Sequence, residues 1–370
     1  MKIAYRTGAL AAAAVLSLSL AACAAENEAP PSNAPTTGGG ETATSLSGTL
    51  NGAGASSQES AMDAWRAAFQ DANAELTINY DPVGSGGGRT AFLDGAVAWA
   101  GSDSALSEEE YTTAQGICGA DGAINLPVYI SPISVVFNLE GVSTLNLDAA
   151  TIAQIFDGKI STWNDPAIAA LNDGAALPDL AITPVHRADD SGTTKNFTDY
   201  LEKASDGAWP HEADGVWPTS SGESGEGTSG LIDVVSTTPG TIGYADSSKA
   251  GALGVVSLQV GDTFNAPTAD GAAIALATSE LKEGNGANDL AYSIDRTTTE
   301  AGAYPLFLLS YAIVCQAYED AEVSANVTGF LSFVASAEGQ AAAASAAGSA
   351  PLPAEMSAQI ETILAGIAGA

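Results

Sequence analysis

Strand-period and helix-period segments alternate from Leu46 onward. A chain patterned in this way buries both kinds of apolar face only by laying helices against a sheet. In the stretch from Glu75 to Tyr80, Leu76, Ile78 and Tyr80 alternate with polar neighbours, the mark of a half-buried strand. Ile133–Phe137 is a second strand candidate. Met62, Trp65 and Phe69 recur on one helical face, and Phe197, Tyr200 and Leu201 do the same further on. Both stripes are expected to be core. The class that follows is α/β, without internal repeats of fixed period, and 370 residues leave room for two domains of ordinary size.

Composition narrows the partners. Aromatic residues supply 6% of the chain and hydrophobic residues 46%, so the core must be built largely from Ala, Val, Leu and Ile. Against 11 basic residues stand 44 acidic ones, a formal charge of −33. Such a surface repels nucleic acid and anionic membranes and keeps the chain soluble. Any anion it binds must be held by local donors, against the overall field.

The first residues read as an export signal. Lys2 and Arg6 precede an apolar run from Ala9 to Leu20 that is too short for a stable membrane span. The run ends in Leu20-Ala21-Ala22-Cys23, which resembles a bacterial lipobox, so residues 1–22 are expected to be removed and Cys23 to carry lipid. Residues 23–45, rich in Pro, Gly, Thr and Glu, then read as a flexible tether. That order places the folded part outside the membrane, held to it only by lipid. Cys118 and Cys315 remain. In an oxidising exterior they are expected to pair, with two buried free thiols as the alternative.

Three polar turns stand before helical patterns. The first is Gly52-Ala53-Gly54-Ala55-Ser56-Ser57-Gln58-Glu59, where Ser56 and Glu59 have capping-box spacing. The second is Gly84-Ser85-Gly86-Gly87-Gly88-Arg89. The third runs from Arg187 to Thr194 and opens the helix carrying Phe197 and Tyr200. Helix starts expose unpaired N–H groups and a positive dipole end; small residues let an oxyanion approach, and hydroxyls add donors. One such turn is an ordinary cap, but three point to an anion site. Arg187 can grip two oxygens at once, and Asp189 is placed to hold its guanidinium.

These segments resemble the phosphate-binding proteins of ABC importers, the PstS type. The family pattern of a Gly-Ala-Gly turn, Asn-Tyr with a Gly-Ser-rich turn, Gly-Ala-Ser-Asp-Ala-Pro-Leu-Ser and Arg-Ala-Asp-Gly-Ser-Gly-Thr is matched in order. The matching segments are Gly52-Ala53-Gly54, Asn79-Tyr80 with Gly84–Gly87, Ala100–Ser107, and Arg187–Thr193. Similarity continues in Ile155–Ile160 with Trp163-Asn164, and in Pro239–Tyr244. The resemblance implies a two-lobed periplasmic-binding-protein fold (type II) with a two-segment hinge. Lobe 1 would take 46–128 plus 305–370, and lobe 2 would take 129–304, which puts both remaining cysteines in one lobe. It also implies phosphate contacts from Ser56, the Ser57 backbone, Ser85, Asp103, Arg187, Ser191, the Gly192 backbone and Thr193. The family usually shows Thr-Phe where Ser56-Ser57 stand, which opens one wall of the cleft. Gly86 replaces a serine and His186 often an arginine, neither as an implied ligand.

Asp103 sharpens this expectation. Phosphate near neutral pH still carries a proton that a carboxylate can accept; sulfate has none and would leave the buried acceptor unpaired, at a cost of about 1–3 kcal/mol or more. The partners that the resemblance implies are inorganic phosphate and importer permease subunits, with no cofactor or metal and a monomeric chain. The rival class is a secreted phosphatase or other phosphate-ester hydrolase using the same pocket. Gly84–Thr90 is one residue short of a Walker A loop and has Arg89 where Lys is needed, and no Gly-x-Ser-x-Gly elbow occurs. His186 and His211 are the only histidines, too few for a His-rich metal centre. The run Glu108-Glu109-Glu110 is expected to be a solvated face. A second rival keeps the fold and assigns it to sensing or adhesion.

Overall fold

The computed structural model describes residues 46–369; the export signal, Cys23 and the tether lie outside them. Three parallel strands come first: β1 (Gly48–Gly54) lies between β2 (Leu76–Asp81) and β3 (Trp99–Ser102). Between them run helices α1 (Glu59–Ala72) and α2 (Gly84–Leu93), and α3 (Glu108–Cys118) follows. Strand β4 (Ala123–Phe137) is 15 residues long and buried throughout. Next come β5 (Thr144–Leu147), α4 (Ala149–Phe156), α5 (Pro166–Leu171), β6 (Thr183–Arg187), α6 (Gly192–Ala204), β7 (Glu223–Gly225), α7 (Gly227–Thr237) and β8 (Thr241–Asp246). The hairpin β9 (Gly254–Val260) and β10 (Thr263–Asn265), helix α8 (Ala269–Ala277), and the short pair β11 (Glu280–Leu281) and β12 (Tyr292–Ser293) lead to β13 (Phe307–Cys315). Helices α9 (Ala321–Ala335), α10 (Ala337–Ala347) and α11 (Ala354–Ala365) follow. The main sheet runs β2-β1-β3-β13-β4-β8-β6-β7. Among the described residues no helix is long and apolar enough to cross a membrane.

Caps set many of the helix starts. The side chains of Ser107, Asp148, Asp165, Ser191, Thr268, Asp320 and Ser336 each accept a hydrogen bond from a backbone N–H of the helix they precede, relieving donors that the helix cannot satisfy internally. The capping box expected at Ser56 and Glu59 is not formed, because the hydroxyl of Ser56 is engaged elsewhere. A complete box instead joins Ser107 and Glu110.

The apolar residues form two principal cores. Met62, Trp65 and Phe69 of α1 meet Phe330 and Val334 of α9 in the first, with Trp65 donating its indole N–H to the Gly339 carbonyl at 2.7 Å. Phe156, Phe197, Tyr200, Tyr244 and Trp217 pack in the second, where the rings of Phe197 and Tyr244 stack 4.2 Å apart. Strand β4 serves both. Its half containing Leu126, Val128 and Ile130 lies in the first core and pairs antiparallel with β13; its half containing Ile133, Val135 and Phe137 lies in the second and pairs with β8. Val260, Ala272, Leu276 and Leu290 pack in the first core.

Cys118, ending α3, is bonded to Cys315, ending β13, with Cα atoms 5.0 Å apart. The pairing replaces the alternative of free thiols and ties segments 197 residues apart. Asp246 ends β8 opposite Ile133 of β4, fully buried, accepting from the Tyr129 hydroxyl at 3.1 Å and the Ser248 N–H at 2.9 Å. Burial pushes its carboxyl up to about 6 despite these hydrogen bonds.

Two outcomes are expected. Replacing both cysteines by serine should lower unfolding free energy by about 2–5 kcal/mol in guanidinium titrations, and reductant should bring the parent to the level of the variant. Asp246 binds its proton more tightly folded than unfolded, so its contribution is full at low pH and is lost as pH rises through about 4 to 6. The stability of the parent relative to Asp246→Asn should therefore fall by about 3 kcal/mol between about pH 4 and 7; a flat difference contradicts the assignment.

Candidate anion-binding site

The ends of β1 and β3, the first turns of α2 and α6, and the middle of β13 converge on one carboxylate. Asp103, immediately after β3, is 4% exposed. The Ser57 hydroxyl donates to its two oxygens at 2.7 and 2.8 Å, and Thr193 donates to Oδ2 at 2.9 Å. Ser310 of β13 donates to Oδ1. The Asp103 N–H donates to Ser85 Oγ at 3.1 Å, and Asn196 Nδ2 donates to the Asp103 carbonyl at 2.7 Å. Burial raises the Asp103 carboxyl above its ordinary range, opposed by the hydroxyls of Ser310, Ser57 and Thr193 and by the charge of Arg187.

Close approach is what lets these elements meet. A Cβ on Gly192 would lie 2.4 Å from Ser85 Oγ, 2.7 Å from Asp103 Cβ and 3.0 Å from the Asp103 nitrogen, so only glycine fits there. Gly84 sits at φ +87°, a conformation side chains rarely adopt, and a Cβ on it would lie 2.3 Å from Asp189 Oδ2. The Gly86 N–H donates to the Asp190 carbonyl at 3.0 Å. The glycines expected to precede α2 thus form its first turn and let it abut the loop between β6 and α6.

Arg187 ends β6 and is 3% exposed. Asp189 clasps its guanidinium from both oxygens, with Nε donating to Oδ1 at 2.7 Å, and also accepts from the Gly227 N–H at 3.1 Å. A two-point grip of this kind fixes the plane of the cation. Ser191 caps α6 by accepting from the Thr194 N–H at 3.2 Å. Ser56 points toward another helix start: it pairs with the Thr228 hydroxyl at 2.9 Å and accepts from the Thr228 N–H at 3.0 Å.

The residues expected at the site therefore fall into two contiguous groups. Ser57, Ser85, Gly192 and Thr193 surround Asp103; Arg187 and Asp189 lie beside the start of α7, which Ser56 also touches. Ser310, Asn196 and Thr228 were absent from the sequence expectation. A signal existed for two of them: Gly225–Gly230 is a fourth Ser-Gly-rich turn at the start of an apolar helix, and Ser310 is the one serine within the apolar run Phe307–Cys315. Arg89 does other work. Its guanidinium bonds Glu110 at 2.7 Å and reaches Ser102, Ser104 and Asp190. Glu110 is thus half-buried and paired rather than part of a solvated face; burial raises its carboxyl, but the Ser107 N–H and Arg89 outweigh this and hold it low.

Hydroxyls, helix starts and a guanidinium donate here, while Asp189 accepts from the guanidinium and Asp103 accepts from the hydroxyls. The set is suited to an oxyanion that carries a proton. Neither histidine serves a hydroxyl of the cluster: His186 lies 2.8 Å from the Arg187 carbonyl and stacks on Trp217, and His211 lies 3.2 Å from Asp157. Among the described residues no group of three or more His, Cys, Asp or Glu converges as a metal site.

Residues 39–338 match the family model for the PBP superfamily domain. The chain is 38% identical over 336 residues to the phosphate-binding protein PstS 3 of Mycobacterium leprae, an alignment covering 88% of each. It is 33% identical over 281 residues to the phosphate-binding protein PstS of Xylella fastidiosa, covering 74% of this chain and 73% of that one. Among solved structures it resembles a high-affinity periplasmic phosphate-binding protein (PfluDING) bound with phosphate. That match has a TM-score of 0.68 at 21% identity and covers 85% of this chain and 93% of the other. A phosphate-binding protein from Stenotrophomonas maltophilia gives a TM-score of 0.65 at 21% identity, covering 85% and 94%. The architecture is the two-lobed fold of periplasmic binding proteins, and the chain belongs to their PstS family.

Proposed function

We propose that this chain captures inorganic phosphate outside a bacterial membrane and passes it to an ABC importer, without transforming it. The observation that carries this reading is a buried carboxylate ringed by hydroxyls from several chain segments, beside an arginine whose orientation is fixed by its own aspartate. In this reading Ser57, Ser85, Thr193, Arg187, and the backbone at Ser57 and Gly192 donate to phosphate oxygens. Ser56 and Ser191 complete the contacts, and Asp103 accepts from the P–OH. The relatives' names as phosphate-binding proteins favour capture over hydrolysis.

The division into lobes follows the cores. Where the sequence expectation gave 129–304 to lobe 2, Val260, Ala272, Leu276, Leu290 and Ala303 pack in the first core. In this reading residues 46–131, 259–303 and 309–369 therefore make lobe 1 and the remainder of the described chain makes lobe 2; the chain crosses four times, and β4 and β13 are the strands that contribute to both cores. Ligand would then be gripped by Asp103 and Ser85 from one side and by Arg187 and Thr193 from the other, favouring closure through contacts that exist only when both sides meet. Cys23, lipidated, would hold a monomer at the membrane surface close to its importer.

Calorimetry on the chain from residue 46 should show stoichiometric phosphate binding that excess sulfate does not displace. Asp103→Asn should weaken the preference for phosphate over sulfate at least about 100-fold, much more than total oxyanion affinity; unchanged selectivity removes Asp103 from its role. Gly192→Ala, which forces a Cβ against Asp103, should weaken phosphate binding at least about 10-fold and keep the phosphate-saturated chain more open in small-angle scattering. An equally compact variant of parental affinity would contradict the closure reading.

A further inference from the structure

Two of the chain's 11 basic residues, Lys2 and Arg6, precede the described part, leaving 9 for a strongly acidic body. Four of these, Lys195, Lys203, Lys282 and Arg296, line one cavity of about 140 Å³. Only two carboxylates line it with them, Asp103 and Asp199. The cavity has room for an oxyanion with part of its hydration, since a single water needs about 10–15 Å³ of such space.

The charges there are not balanced. Arg296 is 2% exposed and fully engaged: it bonds Asp199 at 2.9 Å and the carbonyls of Pro305 and Phe307 at 2.8 and 3.0 Å, and donates to the Asn196 side chain. Lys203 takes the other oxygen of Asp199 at 2.8 Å. Among the described residues no carboxylate lies within ion-pair distance of Lys195 or Lys282. The ammonium of Lys282 is pushed below its ordinary range, first by burial and then by the charge of Lys195, with Lys203 adding to this and Asp199 and Asp289 opposing it. Lys195 and Lys282 repel one another without an ion-pair partner of their own, and an anion between them removes that repulsion.

The cavity also adjoins the deep site. Asp103 lines it, and Asn196 bridges the two by donating to the Asp103 carbonyl while accepting from Arg296. We propose that Lys195, Lys203 and Lys282 form a second, weaker oxyanion site that collects inorganic phosphate beside Asp103 before it enters the deep site. Its role rests on the phosphate reading above, whereas its existence can be tested separately. In a molecule whose net field repels anions, a local positive funnel raises the anion concentration where capture occurs.

The test uses the full chain with ¹³C-labelled lysine, titrated with inorganic phosphate. Beyond the stoichiometric step, millimolar phosphate should shift the side-chain resonances of Lys195 and Lys282. In stopped flow at low ionic strength, K195Q/K282Q should slow phosphate association about 4-fold, roughly 2-fold per charge, while leaving dissociation unchanged. High salt should abolish the difference, and K159Q/R66Q, which removes as much charge elsewhere, should have less effect. Unmoved lysine resonances, or equal slowing by the control pair, overturn the proposal. Lysine shifts without any stoichiometric step would uphold this site and defeat the deep-site reading instead.

Discussion

A carboxylate buried among hydroxyls governs the arrangement of this molecule. Asp103 gains little from water, so its charge is tolerable only because Ser57, Thr193 and Ser310 converge on it from distant parts of the chain. That convergence requires the α6 start to press against β3 and α2, and this contact in turn requires Gly192 and Gly84. The burial that makes the carboxyl unusually basic also suits it to accept a proton from a partner that brings one.

The long strands turn this local chemistry into a two-core machine. β4 contributes one half to each of the two hydrophobic cores, and under the proposed closure bending few of its residues would change their mutual angle. β13 runs beside it and places Ser310 at the same carboxylate. The Cys118–Cys315 bond fixes one end of β13 to α3, away from the crossing.

Much of this was legible in the residues. Helical spacing of Met62, Trp65 and Phe69 gave the α1 face, and alternation at Leu76, Ile78 and Tyr80 gave β2, because each element has one buried side and obeys one period. β4 was recognised only at Ile133–Phe137. It is buried on both sides, so alternation is lost, and Pro127 and Pro132 read as breakers; the ladder accommodates this region with a register shift at Ser310 and Tyr311 of β13. The turns at Ser56, Ser85 and Ser191 announced helix starts, but their targets were not readable. Ser56 and Glu59 have the spacing of a cap, yet tertiary contacts take Ser56 to Thr228 and Glu59 to Lys249 at 2.7 Å. Ser310 lies 207 residues from Asp103, a contact that only the sheet order creates.

The account's central claim is that one carboxylate and one guanidinium share a single protonated oxyanion. A crystal structure of the chain grown with inorganic phosphate tests this most directly. It should show one phosphate with an oxygen about 2.5–2.7 Å from an Asp103 carboxylate oxygen, the spacing of an O–H donating to a carboxylate, while Arg187 holds two other oxygens of the same ion. Phosphate bound elsewhere, or bound with the Asp103 carboxylate turned away from it, would contradict the account.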